Sequence, residues 1–126
     1  MTRATPLPTE AELDLLGVLW RRGPSTVREV HRALAKETGY TTVLKLLQIM
    51  HAKGLVTRDE SARTHVYAAA VERGETEGGL VSELARRAFG GSAGRLVMRA
   101  LSERTASPEE LAEIRRVLDE VDGGGG

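Results

Sequence analysis

The sequence predicts a mainly α chain with a small β-wing: an N-terminal winged helix-turn-helix followed by a C-terminal helical dimerisation region. Three observations predict it. The stretch from Thr41 to Arg58, TTVLKLLQIMHAKGLVTR, reads as an amphipathic helix running directly into an extended ribbon. Capping-box patterns open helices before it and at the far end of the chain. One Phe, one Trp and two Tyr leave Leu, Val, Ala and Met to form the core, which suits packed helices better than a sheet sandwich.

Taken in order, Thr9-Glu10-Ala11-Glu12 offers a Thr oxygen to a free helix N–H and a Glu three positions on to return the bond. The helix it starts carries Leu13, Leu16, Leu19 and Trp20 as its apolar stripe. It ends at Arg21-Arg22-Gly23-Pro24, where cations suit the negative helix end and Gly-Pro prevents continuation. Thr26-Val27-Arg28-Glu29 is a second capping box. It opens a helix with Val30, Ala33 and Leu34 inward, Arg28, Arg32 and Lys36 outward, and Gly39 as its end. Gly39-Tyr40-Thr41 is then a very short connection, which gives helix-turn-helix spacing.

In the third helix Val43, Leu46, Leu47 and Met50 fall on one side at the i, i+3, i+4, i+7 spacing of a buried stripe. Thr41, Lys45, Gln48 and Ala52 lie opposite. Gly54 is a suitable left-handed stop. Beyond it come the alternation LVTRD, the turn residues ESAR and a second extended run, THVYAAA. A helix followed by a two-stranded ribbon is the order of a winged helix.

The second half differs in kind. From Val71 to Phe89 the pattern is helical but weakened by Gly74, Gly78 and Gly79, each costing about 1 kcal/mol against Ala. Leu80, Val81, Leu84, Ala88 and Phe89 supply its stripe, and Gly90-Gly91 breaks it. Ala93 to Leu101 forms a short helix. Ser107-Pro108-Glu109-Glu110 is the strongest start signal in the chain, and the helix it opens aligns Leu111, Ile114, Leu118 and Val121. Three helices in about fifty residues can hardly enclose a core alone. Phe89, Leu96, Val97, Leu101, Leu111, Ile114 and Leu118 are therefore expected to pack against a second copy as an isologous dimer. The alternative is that these helices fold back on the first domain. The expected organisation is a DNA-binding domain over 1–70, a dimerisation region over 71–122 and a flexible Gly tail over 123–126.

The composition of the 126 residues excludes several classes of protein. Cysteine is absent, so disulfides, thiol nucleophiles and thiolate metal sites are ruled out. The opening MTRATPLPTE lacks an apolar signal core and no run approaches the roughly 18 apolar residues of a membrane span, so a cytoplasmic protein without membrane insertion is expected. Net charge is zero but unevenly spread: residues 1–70 carry +3 and residues 71–126 carry −3. The window from Arg21 to Tyr67 holds nine cations against four acids, and all three histidines. The first half is the one that faces a polyanion.

The outer face of the third helix combines a cation, an amide able to bond a base edge bidentately, and small methyl-bearing groups able to touch thymine methyls. Lys45 and Gln48 serve equally well as ordinary solubilising residues. The N-terminus of the second helix, with free amides at Val27 and Arg28, favours a phosphate oxygen, while Thr26 caps the helix. On the ribbon, Arg58, Arg63 and His65 are candidate phosphate or minor-groove contacts, although cations on a hairpin are also common without function.

Enzymatic readings fare poorly. His31, His51 and His65 are scattered over two helices and a strand, with no H-E-x-x-H pair and no nucleophile elbow. His31, on the outer side of its helix, is read as solvated or touching phosphate. The run Gly90-Gly91-Ser92-Ala93-Gly94 lacks the Lys-Ser/Thr of a phosphate loop. No catalytic residue, metal or cofactor is expected.

Several separated segments together resemble the penicillinase repressor family of the BlaI/MecI type. They are GYTTVLKLLQIMHAKGLVTR, the ribbon ending in VYAA, the Phe89-Gly90-Gly91 break, LVMRAL and the closing SPEELAEIRRVL, spanning about Pro8 to Asp119. The resemblance implies a homodimer that binds a palindromic operator in double-stranded DNA and represses transcription. By position it implies Thr41, Thr42, Lys45 and Gln48 in the recognition helix, with Arg63 and His65 on the wing. Two departures stand out. Antibiotic-resistance repressors of this type are cut at an Asn-Phe bond by a partner protease system, whereas the matching pair here is Arg99-Ala100, which leaves any sensor protease unknown. Copper-responsive relatives carry C-terminal cysteine pairs, and this chain has none. The other function compatible with the fold is a winged-helix adapter that binds protein without specific DNA binding.

Overall fold

A computed structural model describes residues 5–124. The elements run α1 (Glu10–Arg22), β1 (Ser25–Thr26), α2 (Val27–Ala33), α3 (Tyr40–Lys53), β2 (Val56–Asp59), β3 (Val66–Ala69), α4 (Arg73–Ala88), α5 (Ala93–Glu103) and α6 (Pro108–Gly124). The chain divides into two compact units, Met1–Val81 and Ser82–Gly126, so the division falls inside α4. The sequence places it at 70/71, just ahead of that helix.

The first unit is a winged helix. Both of its expected capping boxes form: Thr9 and Glu12 exchange bonds of 2.9 and 3.2 Å at the start of α1, and Thr26 and Glu29 do the same at α2. Leu15, Leu16, Val18 and Leu19 of α1, Val27 and Val30 of α2, and Val43, Leu47 and Met50 of α3 pack with Leu55, Val56 and Tyr67 into one core. The buried face of α1 is thus rotated from the Leu13/Leu16/Leu19/Trp20 stripe. It starts at Glu12, which occupies an inward position that a hydrophobic pattern cannot register. Trp20 sits at the core margin and donates its ring N–H to the Val71 carbonyl at 3.0 Å.

The connection between α2 and α3 corrects the expectation. α2 ends at Ala33, where Leu34 turns extended, and six residues lead to α3. Gly39 does not close α2; in an extended conformation, it is the N-cap of α3. His31 bridges this loop, its Nε2 lying 2.8 Å from the Thr38 carbonyl oxygen while its ring meets Tyr40 edge-on at 5.9 Å. It braces the loop and is not a freely solvated outer residue.

Gly54 takes the left-handed conformation at φ 86°, its N–H capping α3, and Leu55 N–H closes the turn on the Met50 carbonyl at 2.9 Å. The wing is a three-stranded antiparallel sheet in the order β1-β3-β2, not the expected two-stranded ribbon. The extra strand, Ser25–Thr26, pairs with Tyr67 and Val66 and so fastens the start of α2 to the wing.

α4 begins at Arg73 despite its glycines. Gly79 has a packing reason: a Cβ there would meet the Leu7 side chain at 2.9 Å. The second unit is sparsely buried by itself. α4 ends at Phe89-Gly90-Gly91, both glycines having positive φ, with Gly91 N–H bonded to the Ala85 carbonyl at 2.8 Å. Ser92 caps α5, and Ser107 and Glu110 form the expected box at α6. Phe89, Leu96, Leu111 and Ile114 are half-covered, whereas Leu84, Val97, Leu101, Leu118 and Val121 are exposed. α6 continues through Gly123 and Gly124, which correct the expected start of the tail, because the helix carries its turn past Asp122. The rest of that tail lies outside the described residues. Among the described residues no helix is long and apolar enough to cross a membrane.

Candidate nucleic-acid interface

α3 buries Val43, Leu47 and Met50, and its opposite side carries Thr41, Lys45, Gln48, Ile49 and Ala52 in the open. This follows from the period of the helix: a stripe at i, i+4, i+7 turned into the core leaves the residues about half a turn away facing out. Gly39 gives α3 no side-chain cap, in contrast to Thr9, Thr26 and Ser92 at their helices.

Beside that face lies an open cleft of about 610 Å³, formed between the start of α2, one flank of α3 and the wing. Six of the nine candidate DNA-contacting residues line it: Thr26, Val27, Gln48, Arg58, Arg63 and His65. Three separate segments converge here because β1 ties the start of α2 to β3, and β3 in turn holds β2 with Arg58 opposite Tyr67. Thr41 and Lys45 are exposed on α3 outside the cleft. Thr42 points elsewhere, lining a hollow with Glu10, Asp14 and Lys36 on the α1 side.

The cleft also includes Arg28, whose amide the sequence marks as a phosphate donor, and Tyr40, Leu44 and Thr64, which carry no contact expectation from the sequence. A signal for two of them was present, since Tyr40, Leu44 and Gln48 recur every four residues along one helix flank. Arg28 was legible through its free backbone amide at the helix start and as an outward cation.

Each polar group has a definite state. The Thr26 hydroxyl accepts the Glu29 N–H, and the Thr26 N–H donates to the Glu29 carboxylate. That backbone donation, aided by the hydroxyl and by Arg22, holds the Glu29 carboxyl below its ordinary range despite desolvation. Val27 is buried and lines the cleft with little exposed surface. Arg58 is engaged: its Nε donates to Glu60 at 2.9 Å, and the Tyr67 hydroxyl and then Glu60 raise its pKa. Among the described residues Arg28, Lys45 and Arg63 form no ion pair, in contrast to Arg22, Lys36 and Lys53. The wing tip is shaped by Asp59, which accepts the Ser61 N–H at 2.9 Å. Among the described residues no cluster of His, Asp and Glu is arranged to hold a metal ion.

The surface is therefore a convex helix face with a cationic cleft along one side. Comparison with known proteins agrees with this architecture. The solution structure of the DNA-binding domain of the repressor BlaI superposes with a TM-score of 0.50 at 22% identity, covering 57% of this chain and 90% of that one, which establishes the shared fold. The transcriptional regulator BlaI of Mycobacterium tuberculosis is 33% identical over 120 residues, 93% of this chain and 86% of that protein. The penicillinase repressor of Bacillus licheniformis is 23% identical over 117 residues, 91% of each. The sequence model of the penicillinase repressor family matches residues 8–120, from the segment before the first capping box into the last helix. A match of that extent, on a winged helix followed by three further helices, places this chain in the penicillinase repressor family, a family of transcriptional regulators.

Proposed function

We propose that this protein is a homodimeric repressor that binds a palindromic operator, with α3 of each protomer in the major groove of one half-site. The observation that carries the reading is the convergence of α2, α3 and the wing on one cleft beside an exposed helix face that bears Lys45 and Gln48. Gln48 contacts a base edge, and Thr41 and Lys45 lie along the groove. Arg58, Arg63 and His65 on the wing and the free backbone N–H of Val27 hold the sugar-phosphate chain, while Thr26, its own N–H given to Glu29, fixes that helix start beside it. Thr42 faces the α1 side and contributes at the margin of the helix. The exposed apolar residues of α5 and α6, with Leu101 and Leu118 central, are covered by a second copy, which sets the half-site spacing. Repression then follows from occupancy of the promoter, with no cofactor and no catalytic step.

The test is binding of the purified full-length protein to duplex from its own upstream region and to scrambled duplex, across a salt series, with molecular mass measured in the same buffer. A dimer contacting Z phosphates loses affinity with a log–log slope of about −0.9Z and prefers the native sequence. A monomer, or a protein indifferent to both salt and sequence, overturns the reading and favours a protein-binding adapter.

A further inference from the structure

We propose that Ile49 reads a thymine 5-methyl group in the major groove and is a specificity-determining residue of α3; the inference rests on the operator-binding reading above. Among the aliphatic residues of α3, Val43, Leu47 and Met50 are buried, and Leu44 and Leu46 pack against the core. Ile49 is the exception, 40% exposed and outside that cluster. It stands next to Gln48, one turn from Lys45 and three residues before Ala52, all three of them exposed. The other large exposed hydrophobic side chain on the helix, Tyr40, is at its first residue, where its ring meets His31 edge-on. Ile49 is outside both that ring contact and the core cluster.

A branched aliphatic group on an otherwise polar face has one complementary feature in a major groove. Every base pair presents hydrogen-bond donors and acceptors there, and thymine alone adds an apolar group, the C5-methyl. Ile49 offers no hydrogen bond, so it cannot choose between purine edges. Opposite cytosine it would strip water from the N4 amino group and return nothing. Opposite thymine it removes two apolar surfaces from water at once. Gln48 and Ile49 are neighbours in sequence, and the helix turns about 100° between them, so they address adjacent base steps and not the same one.

The probe is the consensus duplex that the full-length protein selects from a pool with a randomised core, with each thymine then replaced singly by deoxyuridine, which lacks only the methyl. The expected result is one thymine per half-site at which uracil weakens wild-type binding about four-fold, the scale of one buried methyl group. Ile49→Ala, which removes the contact from both protomers, loses at least about the square of that factor on the thymine duplex and is indifferent to uracil at that position, while 5-methylcytosine there partly restores wild-type binding. Losses from Ile49→Ala and from uracil that simply multiply, at every thymine, overturn the inference and leave operator binding intact. So does an Ile49→Ala protein with unchanged DNA binding, or with an altered oligomeric mass at an unchanged melting temperature, which would place Ile49 in a protein contact. Failure of the wild type to select any consensus overturns the operator-binding reading itself.

Discussion

Glu12 in the first turn of α1 and Lys53 at the last residue of α3 form an ion pair at 2.8 Å, with the Glu12 side chain only 2% exposed. The pair ties α1 to α3 through two residues 41 apart in the chain. Glu12 has two tasks, since it also accepts the Thr9 N–H at 2.9 Å. Removing Lys53 leaves a buried carboxylate with only the Thr9 bonds. Lys53→Met is expected to cost about 2–3 kcal/mol, read as a lowered midpoint in urea with an unchanged slope. A variant as stable as wild type would mean that solvent already satisfies Glu12.

The same pair sets part of the acid stability. Burial pushes the Glu12 carboxyl up, but the bonds from Lys53 and Thr9 outweigh it and leave the pKa below its ordinary value of 4.5. A depressed folded pKa means that the stabilisation is complete above about pH 4.5 and disappears as pH falls through the lower folded value. Glu12→Gln keeps an acceptor for Thr9 and removes the titration. Its stability should fall less steeply than that of wild type on acidification below that point, although Glu29, Asp59 and Glu83, also depressed, titrate in both proteins. Urea midpoints at a series of acid pH values decide it; parallel curves would remove Glu12 from the account.

Gln48 and Arg63 line the same cleft but should fail differently. Gln48→Ala is expected to relax base preference at one position per half-site by roughly 1–3 kcal/mol of discrimination, with fold and dimer unchanged. Arg63→Ala should weaken all sequences about equally and reduce the salt slope by about 1 per protomer. Titrations on a set of single-base operator variants separate the two patterns, and wild-type behaviour in both variants would mean that the reading face is elsewhere.

On the operator-binding proposal Glu60 is a competitor of DNA for Arg58, because its carboxylate already receives the Arg58 Nε–H. Glu60→Gln should tighten binding at low salt by a few-fold, mostly by removing a negative charge beside the phosphates. In the Arg58→Ala background that gain should shrink. An undiminished gain would mean that Glu60 acts as a general repulsive charge without engaging Arg58.

Leu101 and Leu118, the latter 58% exposed, lie on α5 and α6 of a unit with little interior of its own. Leu118→Glu is expected to convert the protein to a monomer by mass measurement, with operator affinity falling at least ten-fold as the second half-site contact is lost. A dimer of unchanged mass would move the interface away from this helix.

Much of the fold was legible because its signals are local. Thr9, Thr26 and Ser107 each meet a Glu three residues later, and every one of those boxes forms. Gly54 and Gly90-Gly91 end their helices through positive φ. The Val43, Leu47 and Met50 stripe fixed the exposed side of α3, and with it Thr41, Lys45 and Gln48. What escaped was set by partners distant in the chain. Ser25–Thr26 is too short for a strand pattern and pairs only because β3 arrives beside it. α2 stops at Ala33, with Leu34 extended and the loop beyond braced by His31 on Thr38, an ending that no glycine marks in the sequence.

By itself the sequence determined where the capped helices begin and where α1, α3 and α4 end, which face of α3 is apolar, and that the chain is a penicillinase repressor type of winged helix. Capping, glycine conformation and hydrophobic period act over a few residues, and composition requires no partner to be read. Only the tertiary structure decided that Glu12 is buried against Lys53, that Arg58 is engaged by Glu60, and that Arg28 and Tyr40 share a cleft with Gln48 and the wing. Those relationships depend on the distance between residues far apart in the chain, and that distance is fixed only when the helices close on a common core.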